Sequence, residues 1–448
     1  MKQLLWLFCL LISTHACGTN SLHTSDMTDV STSDVARSDV QITPDIGDSD
    51  TKANSNEAVE AGDTQVNVPP QIVYEIPDLT GARTESTIPA LGSVAVQPAT
   101  AVGNSGQSVV IFAGTSDENS DLGIYVSTPG QPVAPLRTEP SGQRNEPSIC
   151  RLSNGGFVAV WSYDGQAVGN PLGIEGATLA ADGSVVSSFD IKTEVEGNHW
   201  LGHVGCNPSG GFTVAGSRTD TDGTTFGVFA QHFRNDGTVL GDAFIVNPAP
   251  EGTQVQPVVG VTWGGTGVVM YEDAPTGGDY RLNARTFDSS GVASSTFTIL
   301  ASEGADALKP AIALSHNGRV AYAGNIGAQI QILAAPSVQS PEPTETWVKT
   351  FGSFIFPAIT YLSTDTELAM VSLVNVTRAG EPSVRVEILT EGSDASLSSV
   401  SLGDDPNLPP YPPSIGYGGG VLAVAWTQRT DDGFEIRQST FAGSATTP

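Results

Sequence analysis

The residues of this chain able to do chemistry are few, and most sit in polar stretches between apolar runs. His199-Trp200, with His203 close behind, offers two imidazoles and an indole, a set suited to stacking a ligand or holding a metal ion. If the segment is extended, residues 199 to 203 span roughly 13 Å, too far for one ion. A packed Trp200 with solvent-facing histidines is then the plainer expectation. Glu146, Glu251 and Lys309 occupy equivalent connecting segments, with Arg144, Arg218 and Arg429 nearby. Together they could line a polar mouth, although no pair shows the fixed spacing that acid–base chemistry requires. Asp117, Asn119 and Asp121 alternate oxygen ligands as a calcium loop does, but the glycine, Gly123, falls one place late and no distal bidentate Glu follows. Asp220-Thr-Asp-Gly223 and Asp431-Asp-Gly433 take the corresponding loops elsewhere, where hairpin turns favour Asp and Gly for conformational reasons alone. A Ca2+ site at Asp117, Asn119 and Asp121 and simple turn chemistry both stay open. Nucleophile-elbow, Walker and Rossmann motifs are absent.

These groups are set in a module of about fifty residues that recurs seven times between Val96 and Phe441. The copies are anchored at Pro98, Pro147, Gly202, Pro257, Pro310, Pro357 and Pro413. In the second, Pro147 to Leu152 leads through Ser153-Asn-Gly-Gly156 to Phe157-Val-Ala-Val-Trp161, then Gly173 to Leu179, Ala181-Asp-Gly183 and Val185 to Lys192. Short runs rich in Val, Ile, Phe and Thr, punctuated by Asn-Gly or Asp-Gly, read as strands in hairpins, four to a copy. Runs apolar at consecutive positions, such as Val268 to Tyr271 and Val421 to Val424, suit strands covered on both faces. The expected fold is all-β: a seven-bladed β-propeller of four-stranded antiparallel blades. The seventh copy lacks a fourth strand, while Gln71 to Ile76 and Arg83 to Ile88 have no blade of their own. One of these, by position the second, should complete the last blade and remove the open sheet edges.

Three segments follow: a signal at 1–16, an acidic Ser/Thr/Asp-rich tether at 17–70, and the propeller at 71–448. Lys2 precedes the apolar run Leu4 to Ile12, an export signal too short to span a membrane. The tether, with ten acidic residues from Gly18 to Pro70 against Arg37 and Lys52, has little to bury and is expected to stay disordered. A formal net charge of -29 argues against nucleic acid and anionic lipid surfaces as partners. Cys150 and Cys206 lie in the first strands of adjacent copies, at opposite parity relative to their turns. A disulfide between blades and two buried thiols are both compatible with that placement. First-to-second and third-to-fourth turns are short, whereas second-to-third loops and blade crossovers are longer and emerge together on one face, where a binding surface is expected.

Two resemblances add to this reading. Ala16-Cys17 resembles the lipobox of bacterial lipoproteins, although Thr14 and His15 stand where leucine and a small residue are usual. The resemblance implies diacylation of Cys17 and, with Gly18 rather than aspartate following, an outer-membrane lipoprotein facing periplasm or cell surface; ordinary cleavage would release a soluble protein. The wording Gly-Gly-Phe-Val-Ala-Val-Trp161 and Gly-Val-Phe-Ala-Gln-His-Phe233 with Asn235-Asp-Gly-Thr238 is similar to propeller-forming repeats of large bacterial surface and secreted proteins. It implies an envelope location and supplies no catalytic residues. The expectation is a monomeric, non-enzymatic binding or scaffold module for a protein or glycan, touching membrane only through its lipid; the alternative is a glycosidase or lyase acting on the long-loop face.

Overall fold

The computed structural model describes residues 73–444 except 117–118, 138–141, 165–171, 192–197, 220–225, 249–250, 292, 328, 350–354, 364, 375–382, 394, 404–407 and 410. The signal and tether expected over 1–70, and with them Cys17, lie outside the described residues, as do Asp117 and the 220–223 loop. The described strands form seven four-stranded antiparallel sheets. Six use four consecutive strands. The seventh joins both ends of the chain: Arg83–Ile88 pairs with Gly433–Ala442, setting Arg83 opposite Phe441 and Ile88 opposite Ile436. The protein is thus a seven-bladed β-propeller.

Packing explains the consecutive apolar runs. In Phe157–Asp164, the second strand of blade two, Phe157, Ala159 and Trp161 pack towards blade one. Val158 and Val160 pack towards blade three. Every blade interface holds such a core, and each well-buried large side chain contributes about 1.5–3 kcal/mol. The interface that closes the ring sets Ile88, Ala425 and Ile436 of blade seven against Ala95, Val110, Phe112 and Tyr125 of blade one. The third-to-fourth turns help hold neighbours together. Gly237 sits at φ 86°, and a Cβ there would lie 2.8 Å from the Phe189 ring of the preceding blade.

The anchoring residues lie inside their inner strands in six blades. The inner strands begin earlier, at Ala95, Gln143, His199, Thr253, Ala307 and Ile355, and each carries a β-bulge at the anchor. The residue just before the anchor is left-handed in six blades: Gln97 (φ 54°), Glu146 (53°), Leu201 (53°), Gln256 (54°), Lys309 (59°) and Phe356 (56°). A bulge leaves one residue out of the ladder. Proline suits that place because it has no N–H to satisfy. Blade seven differs: its inner strand, Ser414–Gly418, starts after Pro412-Pro413 and pairs without a bulge.

Cys150 and Cys206, on the inner strands of blades two and three, are joined by a disulfide with Cα atoms 5.8 Å apart. Their opposite parity turns the two side chains into one interface.

Candidate functional site

The six left-handed residues sit near the crossover ends of their inner strands, where Gln97 meets Glu146 and Lys309 meets Phe356. The Glu146 N–H donates to Gln97 Oε1 (3.1 Å), linking blades two and one. The Lys309 ammonium lies over the Phe356 ring, 5.4 Å from its centroid, linking blades five and six. Lys309 also acts electrostatically on the Glu146 carboxyl, three blades away. The interaction spans nearly opposite blades, as side chains directed towards the axis would.

The ring is built by a repeated hydrogen bond from the second strand of the preceding blade. Leu201 N–H donates to Ser162 Oγ (2.9 Å), Gln256 N–H to Ser217 Oγ (3.2 Å) and Lys309 N–H to Glu272 Oε1 (2.8 Å). Thr427 does the same for Gln97 (3.2 Å) across the closing seam. Each acceptor satisfies a backbone donor that the bulge takes out of the ladder.

Glu146 is the chemically distinctive member. Desolvation in this narrow setting pushes its carboxyl up to about 7, against smaller lowering effects from the Ser162 Oγ–H hydrogen bond (3.0 Å) and from Lys309. Glu272, buried at 3 % exposure, is also shifted upward by desolvation and restrained by Lys309. Among the described residues the Lys309 ammonium makes no ion pair with either carboxylate. Deeper in the inner wall, Val259 N–H donates to His203 Nδ1 (3.2 Å), and desolvation brings that imidazole down to about 4. His203 is therefore neutral, with its proton on Nε2.

The other candidates have structural work. Arg144 is buried, bonded to Glu175 (2.8 Å), and stacked over Tyr163 at 4.5 Å. Glu175 also accepts from Trp161 Nε1 (2.8 Å) and pairs with Arg137 (3.3 Å). Arg144 thus holds the interior together and does not face a ligand. His199 and Trp200 belong to the inner strand His199–Cys206, not to a crossover. His199 is 8 % exposed with its ring edge-on to Phe229, and Trp200 abuts Phe226; the expected solvent-facing histidines are absent because both imidazoles pack inward. Arg218 pairs in register with His199 and is half-buried. Arg429 is exposed in the second strand of blade seven, opposite Phe434. These residues do not come together as one site.

Of the calcium-like loop, Asn119 and Asp121 belong to the strand Asn119–Ser127, and Asp117 lies outside the described residues. Asp121 Oδ1 accepts from Gln143 Nε2 (3.0 Å), tying blade one to blade two. Among the described residues no group of three or more metal-capable side chains occurs. The Asp-Gly turns are built by side-chain capping: Asp236 Oδ1 accepts from Thr238 N–H (2.9 Å) and Oγ1–H (2.7 Å), which lowers its carboxyl pKa.

Glu146 was visible in the sequence as a candidate, but the ring that gives it meaning was not. The available signal was the residue preceding each anchor proline, at nearly constant spacing.

No model of a known protein family matches the chain, and no curated protein does. Solved structures are similar. A protein of unknown function from Dyadobacter fermentans matches with a TM-score of 0.50 at 13% identity, over 80% of this chain and 98% of that one. A GH93 α-L-arabinofuranosidase of Fusarium graminearum matches with a TM-score of 0.49 at 12% identity, over 67% and 93% of the two chains. A Trypanosoma rangeli sialidase gives 0.45 at 10% identity, over 70% and 56%. At these identities the likeness is one of fold. The class defined is a closed seven-bladed propeller, here with a mixed-charge ring around its axis.

Proposed function

We propose that this protein is an exported β-propeller, lipid-anchored at Cys17 at the bacterial outer membrane, that binds a protein or glycan at its axial mouth without transforming it. The observation that supports this reading best is the opposition of Lys309 and Glu146. Two ionisable side chains face each other from blades two and five, each retaining hydrogen-bonding capacity that the other does not use. Charges held in a desolvated site without a partner are costly, and a ligand that supplies the missing contacts relieves the cost.

A carbohydrate-active enzyme is the second reading, favoured by one observation. A carboxyl brought to about 7 is suited to general acid catalysis, and Glu272 is a second carboxyl raised by burial. One experiment separates the two. The full chain and its Glu146→Gln variant are incubated with a panel of plant and bacterial oligosaccharides, following both reducing-end release and equilibrium binding. Binding without product supports the module; product formed by the wild type and lost in E146Q makes the protein an enzyme. The anchor has its own test: labelled palmitate should enter the expressed protein and fail to enter Cys17→Ala.

A further inference from the structure

The six axial residues have an order that bears on ligand chemistry. Around a seven-membered ring, positions three blades apart lie nearly opposite. Blades one and four contribute Gln97 and Gln256, two amides. Blades two and five contribute Glu146 and Lys309, a carboxyl and an ammonium. Blades three and six contribute Leu201 and Phe356, two apolar groups. All six share the left-handed φ and the bulge position, and Phe356 also packs against the core between blades six and seven. Blade seven, without a bulge, adds no member and leaves a gap in the ring.

The groups that would meet a ligand retain unused capacity. Glu146 uses one oxygen to accept from Ser162, leaving Oε1. Lys309 lies over the Phe356 ring and interacts electrostatically with Glu272 and Glu146 but makes no ion pair with either, leaving its N–H donors for an anion. Gln97 accepts through Oε1 and keeps its amide N–H donors. Gln256 is fixed through its backbone, not its side chain.

Resting on the axial-binding reading above, we propose that the ring binds a short zwitterionic peptide with an apolar side chain. Its ammonium meets Glu146, its carboxylate meets Lys309, its amide bonds to Gln97 or Gln256, and its side chain packs between Leu201 and Phe356. A zwitterion completes both opposed charges at once and leaves the net charge of the site unchanged. A neutral saccharide would leave the ammonium without an ion-pair partner.

The test uses the full chain and glycyl-leucine, compared with its N-acetylated and C-amidated forms, by titration calorimetry in buffers of different ionisation enthalpy. Glu146 is faced by Lys309 of blade five, and Lys309 in turn by Glu272 of blade four; His203, further along the inner wall, is neutral. An arriving ammonium should ionise the protonated fraction of Glu146, so binding at pH 7 should release roughly half a proton, turning to net proton uptake by about pH 8.5, where the free peptide amine is largely neutral. Blocking either terminus should weaken binding at least about tenfold. E146Q should abolish this proton release, and Lys309→Met should erase the preference for the free carboxylate, with near-UV circular dichroism showing that both variants stay folded. Equal binding of blocked and free peptides would overturn the proposal. Binding of a neutral oligosaccharide instead, lost in K309M, would overturn the peptide assignment and leave axial binding standing. Failure of peptide and saccharide alike would remove both.

Discussion

Gln97 Oε1 accepts the backbone N–H of Glu146 at 3.1 Å, taking in blade one the part that Ser162 Oγ plays for Leu201. The reason lies one strand further out. The second-strand position that carries Ser162, Ser217 and Glu272 in blades two to four is Ala113 in blade one, with no acceptor to offer. Gln97→Ala should therefore strand the Glu146 N–H and cost about 1–2 kcal/mol. Adding Ala113→Ser should recover much of the loss. Thermal unfolding of the single and double variants checks this.

The axial carboxyl makes stability depend on pH. Glu146 is raised from 4.5 to about 7, so the unfolded chain ionises first as pH rises. Its contribution favours folding below about 4.5 and is lost progressively between there and 7, by roughly 3 kcal/mol if the shift acts alone. E146Q should flatten that limb and be relatively more stable at pH 8 than at pH 4. Denaturant midpoints across the range would show it.

His203 acts with the opposite sign. Its folded pKa is depressed from 6.5 to about 4, so the neutral form that accepts from Val259 is favoured above 6.5 and its stabilisation is lost as pH falls towards 4. His203→Asn can keep an acceptor for the Val259 N–H but cannot titrate. Its stability should fall less steeply than wild type between pH 6.5 and 4. Because the two residues offset each other over much of this window, the single variants should reveal slopes that the wild type conceals.

Arg144 should register in stability, not in binding. Removing its partner by Glu175→Ala leaves a buried guanidinium without its carboxylate, at a cost of about 3–5 kcal/mol. Binding by whatever fraction remains folded should be unchanged.

The Cys150–Cys206 bridge encloses 56 residues of sequence separation. On the chain-entropy account such a loop contributes about 4 kcal/mol, and less if the reduced chain keeps residual structure. Unfolding with and without reductant should show a lower midpoint when the bridge is open, with the difference absent in the double Cys→Ala variant.

The sequence disclosed the propeller because its signals were local and repeated. Alternating turns marked each hairpin, and Phe157 to Trp161 showed apolar residues at consecutive positions because both faces of that strand are buried. Closure by Arg83–Ile88 could be read from an arithmetic deficit of one strand. The site could not. Glu146 and Lys309 lie far apart in sequence, and only the curvature of the ring brings their side chains to one level. The bulges were not legible because an unpaired position within a strand and the start of a strand both tolerate a missing N–H. His199 and Arg144 looked functional because buried polar residues that carry structural bonds share their chemistry with ligand-binding ones.

Whether Glu146 and Lys309 meet at the axis is tested directly by a carbon-13 NMR titration of the Glu146 carboxyl in wild type and K309M. The midpoint should lie near 7 in the wild type and higher in K309M, where the lowering influence of the ammonium is gone. A midpoint in the ordinary carboxylate range, indifferent to residue 309, would contradict such a meeting.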